Sequence, residues 1–259
     1  MINVICKSTL LRLISDVYQP NSGSITIDGL ANNDVNAKKD LFFLPDNPYA
    51  PHNMTVGQVF GFYSTLFDLD KDKFREIMNK LSLPIERKVS TYSKGMRRQF
   101  FIAIALSSKA KYALLDEAFD GLDPLVLATV REEIIKDADQ KTYIVSSHNI
   151  SSLERLCDNF ILLSKGRCGK TGDVEHLGEN FVKYQILVKG QLERKDLEAL
   201  GYRILSFKKV GSLCNVVFYD EIDETNIREK MDVVLLEKIA IDPDELIALE
   251  MLDARKENK

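Results

Sequence analysis

Four short runs, apolar almost throughout, constrain this chain more than any other feature: residues 41–44 (LFFL), 111–115 (KYALL), 142–146 (TYIVS) and 160–163 (FILL). Stretches with helical spacing or helix-start signals lie among them. A strand that is apolar on both of its sides is buried on both faces, and strands alternating with helices give a mostly parallel sheet covered on each side. The expected fold is therefore α/β. Residues 7–17 read as a short helix, with Leu10, Leu11, Leu13 and Ile14 on one side, and residues 24–27 as a strand closed by Asp28-Gly29. Thr55-x-x-Gln58 is a capping box, in which side chain and backbone satisfy each other's free N–H groups at a helix start. Phe74, Ile77, Met78 and Leu81 keep helical spacing, so residues 55–83 read as a helical insert. An apolar helix spans 100–106, and Pro124 in a first helical turn opens another that ends near Ala138.

The pattern changes near Gly178. The remainder reads strand 182–188, helix 194–200, strands 203–207 and 215–219, helix 224–230, strand 233–239, then a last helix after Asp242-Pro243. That βαββαβ order is the ferredoxin-like arrangement. Two domains follow, 1–179 and 180–259, the first with a helical subdomain at about 55–107.

Composition excludes several classes. The net charge of −4 offers no general attraction to nucleic acid or to an anionic membrane. No run approaches the roughly 18 apolar residues that a spanning helix needs. The four cysteines, Cys6, Cys157, Cys168 and Cys214, form no CxxC pair, which suggests a reducing compartment and neither a disulfide frame nor a zinc site.

The chemistry-bearing residues come in a fixed order. Lys7-Ser8-Thr9 opens a helix, where backbone N–H groups hold anions, a lysine reaches terminal phosphates and a hydroxyl binds Mg²⁺. Asp116 and Glu117 end an apolar strand, the usual ligand end of an open α/β sheet; one carboxylate can hold Mg²⁺ while the other activates water. Ser93-Lys94-Gly95-Met96 starts a helix, and Gly95 permits close backbone approach to an anion. His148 follows Ser146-Ser147. Each motif alone is a common cap or a solvated pair. Together they read KST, FLPD, YSKGM, LLDEAFDGLDP and SSH, each on a suitable element.

In that order and spacing, residues 1 to about 178 resemble the ATP-binding subunits of ATP-binding-cassette (ABC) transporters, especially bacterial ones with a separate permease. Tyr92–Met96 is similar to the signature motif, Tyr112–Glu117 to a Walker B strand, and Gly121–Pro124 to the D-loop. The resemblance implies a P-loop NTPase-like domain and a head-to-tail dimer, a homodimer or a heterodimer with another ABC subunit, with ATP and Mg²⁺ between subunits. It implies that Lys7, Ser8 and Thr9 bind phosphate and Mg²⁺, that Asp116 binds Mg²⁺, that Glu117 is the catalytic base and that His148 senses the γ-phosphate. Asp46 stands where the family has its Q-loop glutamine. Ser93 and Gly95 would act in trans, and Asp123 would contact nucleotide. The permease would hold the chain at the inner face of the cell membrane, in the cytoplasm.

The chain departs from the family at the phosphate loop. Met1, Val4 and Cys6 occupy glycine positions of GxxGxGKST, and the opening strands that the family places before this loop do not precede it. Two readings follow, an altered or truncated gene product or a subunit with a degenerate site. The functions expected are a transporter ATPase, a non-catalytic subunit of the same kind, or a soluble ABC protein on ribosomes or nucleic acid. The third fits least, with one signature and no basic face. The C-terminal domain reads as a dimerisation or regulatory module.

Overall fold

The computed structural model describes residues 5–147, 153, 156–164, 166–173, 179, 181–242, 245–246, 248–250 and 252–253. Met1, Val4, His148 and Pro243 lie outside these. The chain divides into two compact units, 1–156 and 157–259.

In the first unit α1 (Ile5–Ile14) is followed by a small hairpin, β1 (Thr26–Ile27) and β2 (Leu30–Ala31), then by α2 (Val35–Lys39) and β3 (Leu41–Leu44). Next come α3 (Val56–Tyr63), α4 (Lys71–Lys80), α5 (Lys94–Ser107), β4 (Tyr112–Asp116), α6 (Pro124–Asp137) and β5 (Thr142–Ser146). Strands β3, β4 and β5 lie side by side in that order, all parallel, with Leu44 beside Leu115 and Asp116 beside Ser146.

The runs in β3 and β4 are buried or half-buried on both faces, as expected, but β5 leaves Thr142 and Ile144 exposed, and the fourth run, 160–163, lies outside this sheet in an antiparallel hairpin with Ile161 exposed. Along β4, Leu114 joins Leu11 of α1, Ala37 of α2 and Leu41 on one face, while Ala113 and Leu115 join the larger core on the other. That larger core is built on α5, whose residues Phe100 to Ser107 are all buried. A helix apolar on every side is a core helix. Its rings continue into the helical insert: Phe60 stacks on Phe74 at 4.0 Å, and Phe74 meets Phe100 edge-on at 6.1 Å. The capping box opens α3 as expected, with the Thr55 N–H donating to Gln58 Oε1 at 2.9 Å and the Gln58 N–H to Thr55 Oγ1 at 3.3 Å. Helix α5 starts six residues earlier than its apolar run suggests, because Ser93 caps it by accepting from the Met96 N–H at 3.2 Å.

The second unit begins with a hairpin, β6 (Asn159–Ser164) and β7 (Arg167–Asp173). The division after Leu156 falls earlier than the boundary expected near residue 180, because this hairpin pairs only with itself among the described strands. The sequence reading contains no β7: its residues, RCGKTGD, have no apolar alternation, and pairing with β6 makes the strand. Then follow β8 (Val182–Val188), α7 (Arg194–Glu198), β9 (Ile204–Val210), β10 (Leu213–Phe218), α8 (Glu224–Lys230) and β11 (Val233–Ile239). The sheet order is β11-β8-β10-β9, antiparallel throughout. Leu197 of α7 and Ile227 of α8 are fully buried with Ile186, Cys214 and Val216. This is the expected ferredoxin-like fold, with its first and third strands central.

Candidate functional site

The amino end of α1 and the carboxyl ends of β4 and β5 meet at one place. The first N–H groups of a helix have no partner within it and carry the positive end of its dipole, so Ile5 to Ser8 present donors suited to an anion. Ser8 Oγ donates to Asp116 Oδ1 at 2.9 Å, and Ser146 Oγ donates to the same oxygen at 2.6 Å. Asp116 is wholly inaccessible to solvent, yet its Oδ2 has no hydrogen-bond partner among the described residues. A buried carboxylate oxygen is costly unless something cationic or a donor meets it. Mg²⁺ is held by one or two carboxylates together with substrate phosphates and water, all through hard oxygens. Ser8 Oγ and Asp116 Oδ2 fit that donor set.

Glu117 is the next residue and is also buried. Its φ of 51° lies in the left-handed region, which for a residue with a side chain costs about 1–3 kcal/mol and recurs at functional sites. The turn is fixed by its own N–H, which lies 3.0 Å from Ser146 O and 3.1 Å from Ser146 Oγ. The Lys7 ammonium lies 3.7 Å from Glu117 Oε1 and donates to the Ser147 carbonyl. Lysine, hydroxyl and two carboxylates thus share one small volume.

Neighbouring residues brace it. Ser147 Oγ donates to Asp120 Oδ1 at 2.6 Å. Arg98 of α5 donates to the Asp120 carbonyl and, at 3.0 Å, to Asp46 Oδ1. Asp46 thereby ties the segment after β3 to the turn after β4 through one guanidinium. Sequence reasoning named Asp46 but missed Arg98, Asp120 and the bracing roles of Ser146 and Ser147. The Ser-Ser pair at a strand end was a visible signal; nothing in the sequence pointed to Arg98. A cleft of about 230 Å³ beside this arginine is walled by Pro45, Asp46, Lys94, Arg97 and Phe101, and Lys7 and Asp116 are not among its lining residues.

The other expected residues sit elsewhere. Ser93 and Gly95 are exposed at the start of α5. Asp123 is exposed and caps α6, accepting from the Leu125 and Val126 N–H groups at 3.0 and 3.1 Å. Thr9 is half-buried on α1. Cys6 has helical backbone.

Residues 5–120 match the ABC transporter family. An uncharacterised ABC transporter ATP-binding protein of Synechocystis sp. is 30% identical over 204 residues, which are 75% of this chain and 56% of that protein. The chain therefore spans little more than half the length of that relative. The ABC transporter ATP-binding protein NatA of Bacillus subtilis is 28% identical over 202 residues, 71% of this chain and 82% of that one. Among solved structures, an ATP-binding subunit of an ABC transporter superposes with a TM-score of 0.59 at 23% identity, over 67% of this chain and 76% of that one. This last likeness concerns the fold.

Proposed function

We propose that this chain, which through residues 5–120 belongs to the ABC transporter family, binds and hydrolyses ATP to power a separate membrane permease. The observation that carries this reading is the meeting of Ser8 Oγ with a buried Asp116 whose second oxygen has no partner among the described residues. The α1 amino end and Lys7 would hold the β- and γ-phosphates. Ser8 and Asp116 would hold Mg²⁺, which when bound neutralises charge on the phosphate oxygens. Glu117, held at positive φ, would orient and deprotonate the attacking water. Its contact with Lys7 would give way when the ammonium turns to phosphate.

Ser93, Gly95 and Asp123 are exposed, and so are accessible to the nucleotide of a second subunit in a head-to-tail dimer. No helix among the described residues is long and apolar enough to cross a membrane, so attachment at the cytoplasmic face would come through the permease.

A direct test is nucleotide binding with and without magnesium. The reading expects Asp116→Asn to bind ATP in excess EDTA about as well as the wild type and to lose the gain that Mg²⁺ confers. Equal magnesium dependence in both proteins would remove Asp116 from the metal site.

A weaker-binding variant of the same function is favoured by Cys6. Where the family uses glycine, its backbone is helical, without the positive φ that glycine serves. Cys6→Gly tests this: tighter MgATP binding supports a degenerate loop, and unchanged binding counts against it.

A further inference from the structure

The phosphate site uses nothing of the antiparallel sheet in the second unit. One face of that sheet is closed by α7 and α8 over Tyr184, Ile186, Cys214, Val216 and Leu236. Because side chains alternate along strands, residues 185 and 187 of β8, 213 and 215 of β10, and 235 and 237 of β11 take the opposite face. The C-terminal segment covers one end of it, where Leu249 packs with Phe181, Leu205 and Val217.

Beyond that end two rows cross all four strands. The first is polar: Glu237 of β11 lies beside Gln185 of β8, Gln185 beside Asn215 of β10, and Asn215 beside Lys208 of β9. The second is apolar: Leu235 lies beside Leu187, and Leu213 beside Val210. Val210 is 67% exposed and Leu235 36%. Glu237 is exposed, and the Lys208 side chain reaches Glu245 only at 3.8 Å.

We propose that these two rows form a self-association surface for a second copy of the chain, packed sheet to sheet about a two-fold axis that runs along the strands between β8 and β10. The order of charges selects that axis. The rotation lays β11 over the partner's β9 and β8 over the partner's β10. Glu237 then faces the partner's Lys208, and Gln185 faces the partner's Asn215. Each pairing occurs twice, as in any isologous contact. The apolar rows fall on each other, Leu235 over the partner's Val210 and Leu187 over the partner's Leu213. A two-fold axis across the strands would instead set Glu237 against itself and Lys208 against itself. Two rows are a small surface beside the roughly 800 Å² per partner of a standard interface, so the dimer is weak, with Kd on the order of 100 µM.

Sedimentation equilibrium of the full chain without nucleotide, at low salt and up to about 1 mM protein, tests this. The wild type should dimerise, Glu237→Lys or Lys208→Glu alone should weaken the dimer about tenfold or more, and the double exchange should return it to within about threefold of wild type. Leu235→Glu, on the exposed end of the apolar row, should weaken it as well. A chain that stays monomeric throughout would overturn the proposal. So would a dimer indifferent to the single reversals, or a double variant no stronger than its weaker parent.

Discussion

At the carboxyl end of β4 a fully buried aspartate keeps one oxygen unpaired among the described residues, and the glutamate after it sits at φ 51°. Under the helices of the ferredoxin-like sheet the fully buried residues are Ile186, Leu197, Cys214, Val216 and Ile227. Acidic groups pair at its surface, as Asp220 does with Arg203 at 3.0 Å, while Glu250 of the C-terminal segment is buried. Both regions are sheets under helices, and both bury apolar residues well. Among the described residues only the first also holds a non-glycine turn at positive φ, a feature that costs stability and that persists where chemistry uses it. On this contrast we propose ATP chemistry at the parallel sheet and binding at the antiparallel one.

The sharpest way to break this contrast is to change one atom group in the first region. Glu117→Gln should lower phosphate release about 10²–10⁴-fold while leaving the thermal midpoint near that of the wild type. A turnover loss under tenfold would take the base away from Glu117. In the second region the reverse is expected: Ile227→Ala should cost its own unit about 2–5 kcal/mol in denaturant titration and leave MgATP affinity unchanged.

A buried cation away from the phosphate end sharpens the comparison further. Lys141 donates to the Ala105 and Ser108 carbonyls at 2.9 and 2.7 Å, where it caps the end of α5, and burial lowers its pKa to about 8. An unfolded lysine keeps its proton to about pH 10.4. Between these values the unfolded chain binds more protons, so this group makes stability rise with pH, by up to about 2 kcal/mol from pH 8 to 10. Lys141→Met should remove that slope in stability measured across the same range. Tyr143, raised by burial, opposes it only above pH 10. The smallest effect is expected at a cap that serves neither site: Thr55→Ala should cost about 1 kcal/mol, read from the denaturant midpoint.

Much of the fold was legible because burial and pattern agree. Leu41–Leu44, Thr142–Ser146, Val182–Val188 and Val233–Ile239 are strands with the bounds their sequences suggest. Strand β7 was not, since RCGKTGD contains nothing that calls for a strand until β6 pairs with it. The start of α5 was legible in Ser93-Lys94-Gly95-Met96, a helix start that the apolar run at 100–106 does not mark by itself. In the site, Lys7, Ser8, Asp116 and Glu117 could be named from motif order. The brace of Arg98 to Asp46 and Asp120 could not, because it joins residues far apart in sequence through a side chain with no local signal.

The most direct measurement is calorimetric titration of MgATP into the full chain, with Lys7→Ala beside it. The account predicts wild-type binding with Kd below about 1 mM, near −4 kcal/mol, and its loss in the variant. A folded wild-type protein that binds no MgATP, or a Lys7→Ala protein that binds as well as the wild type, would contradict it.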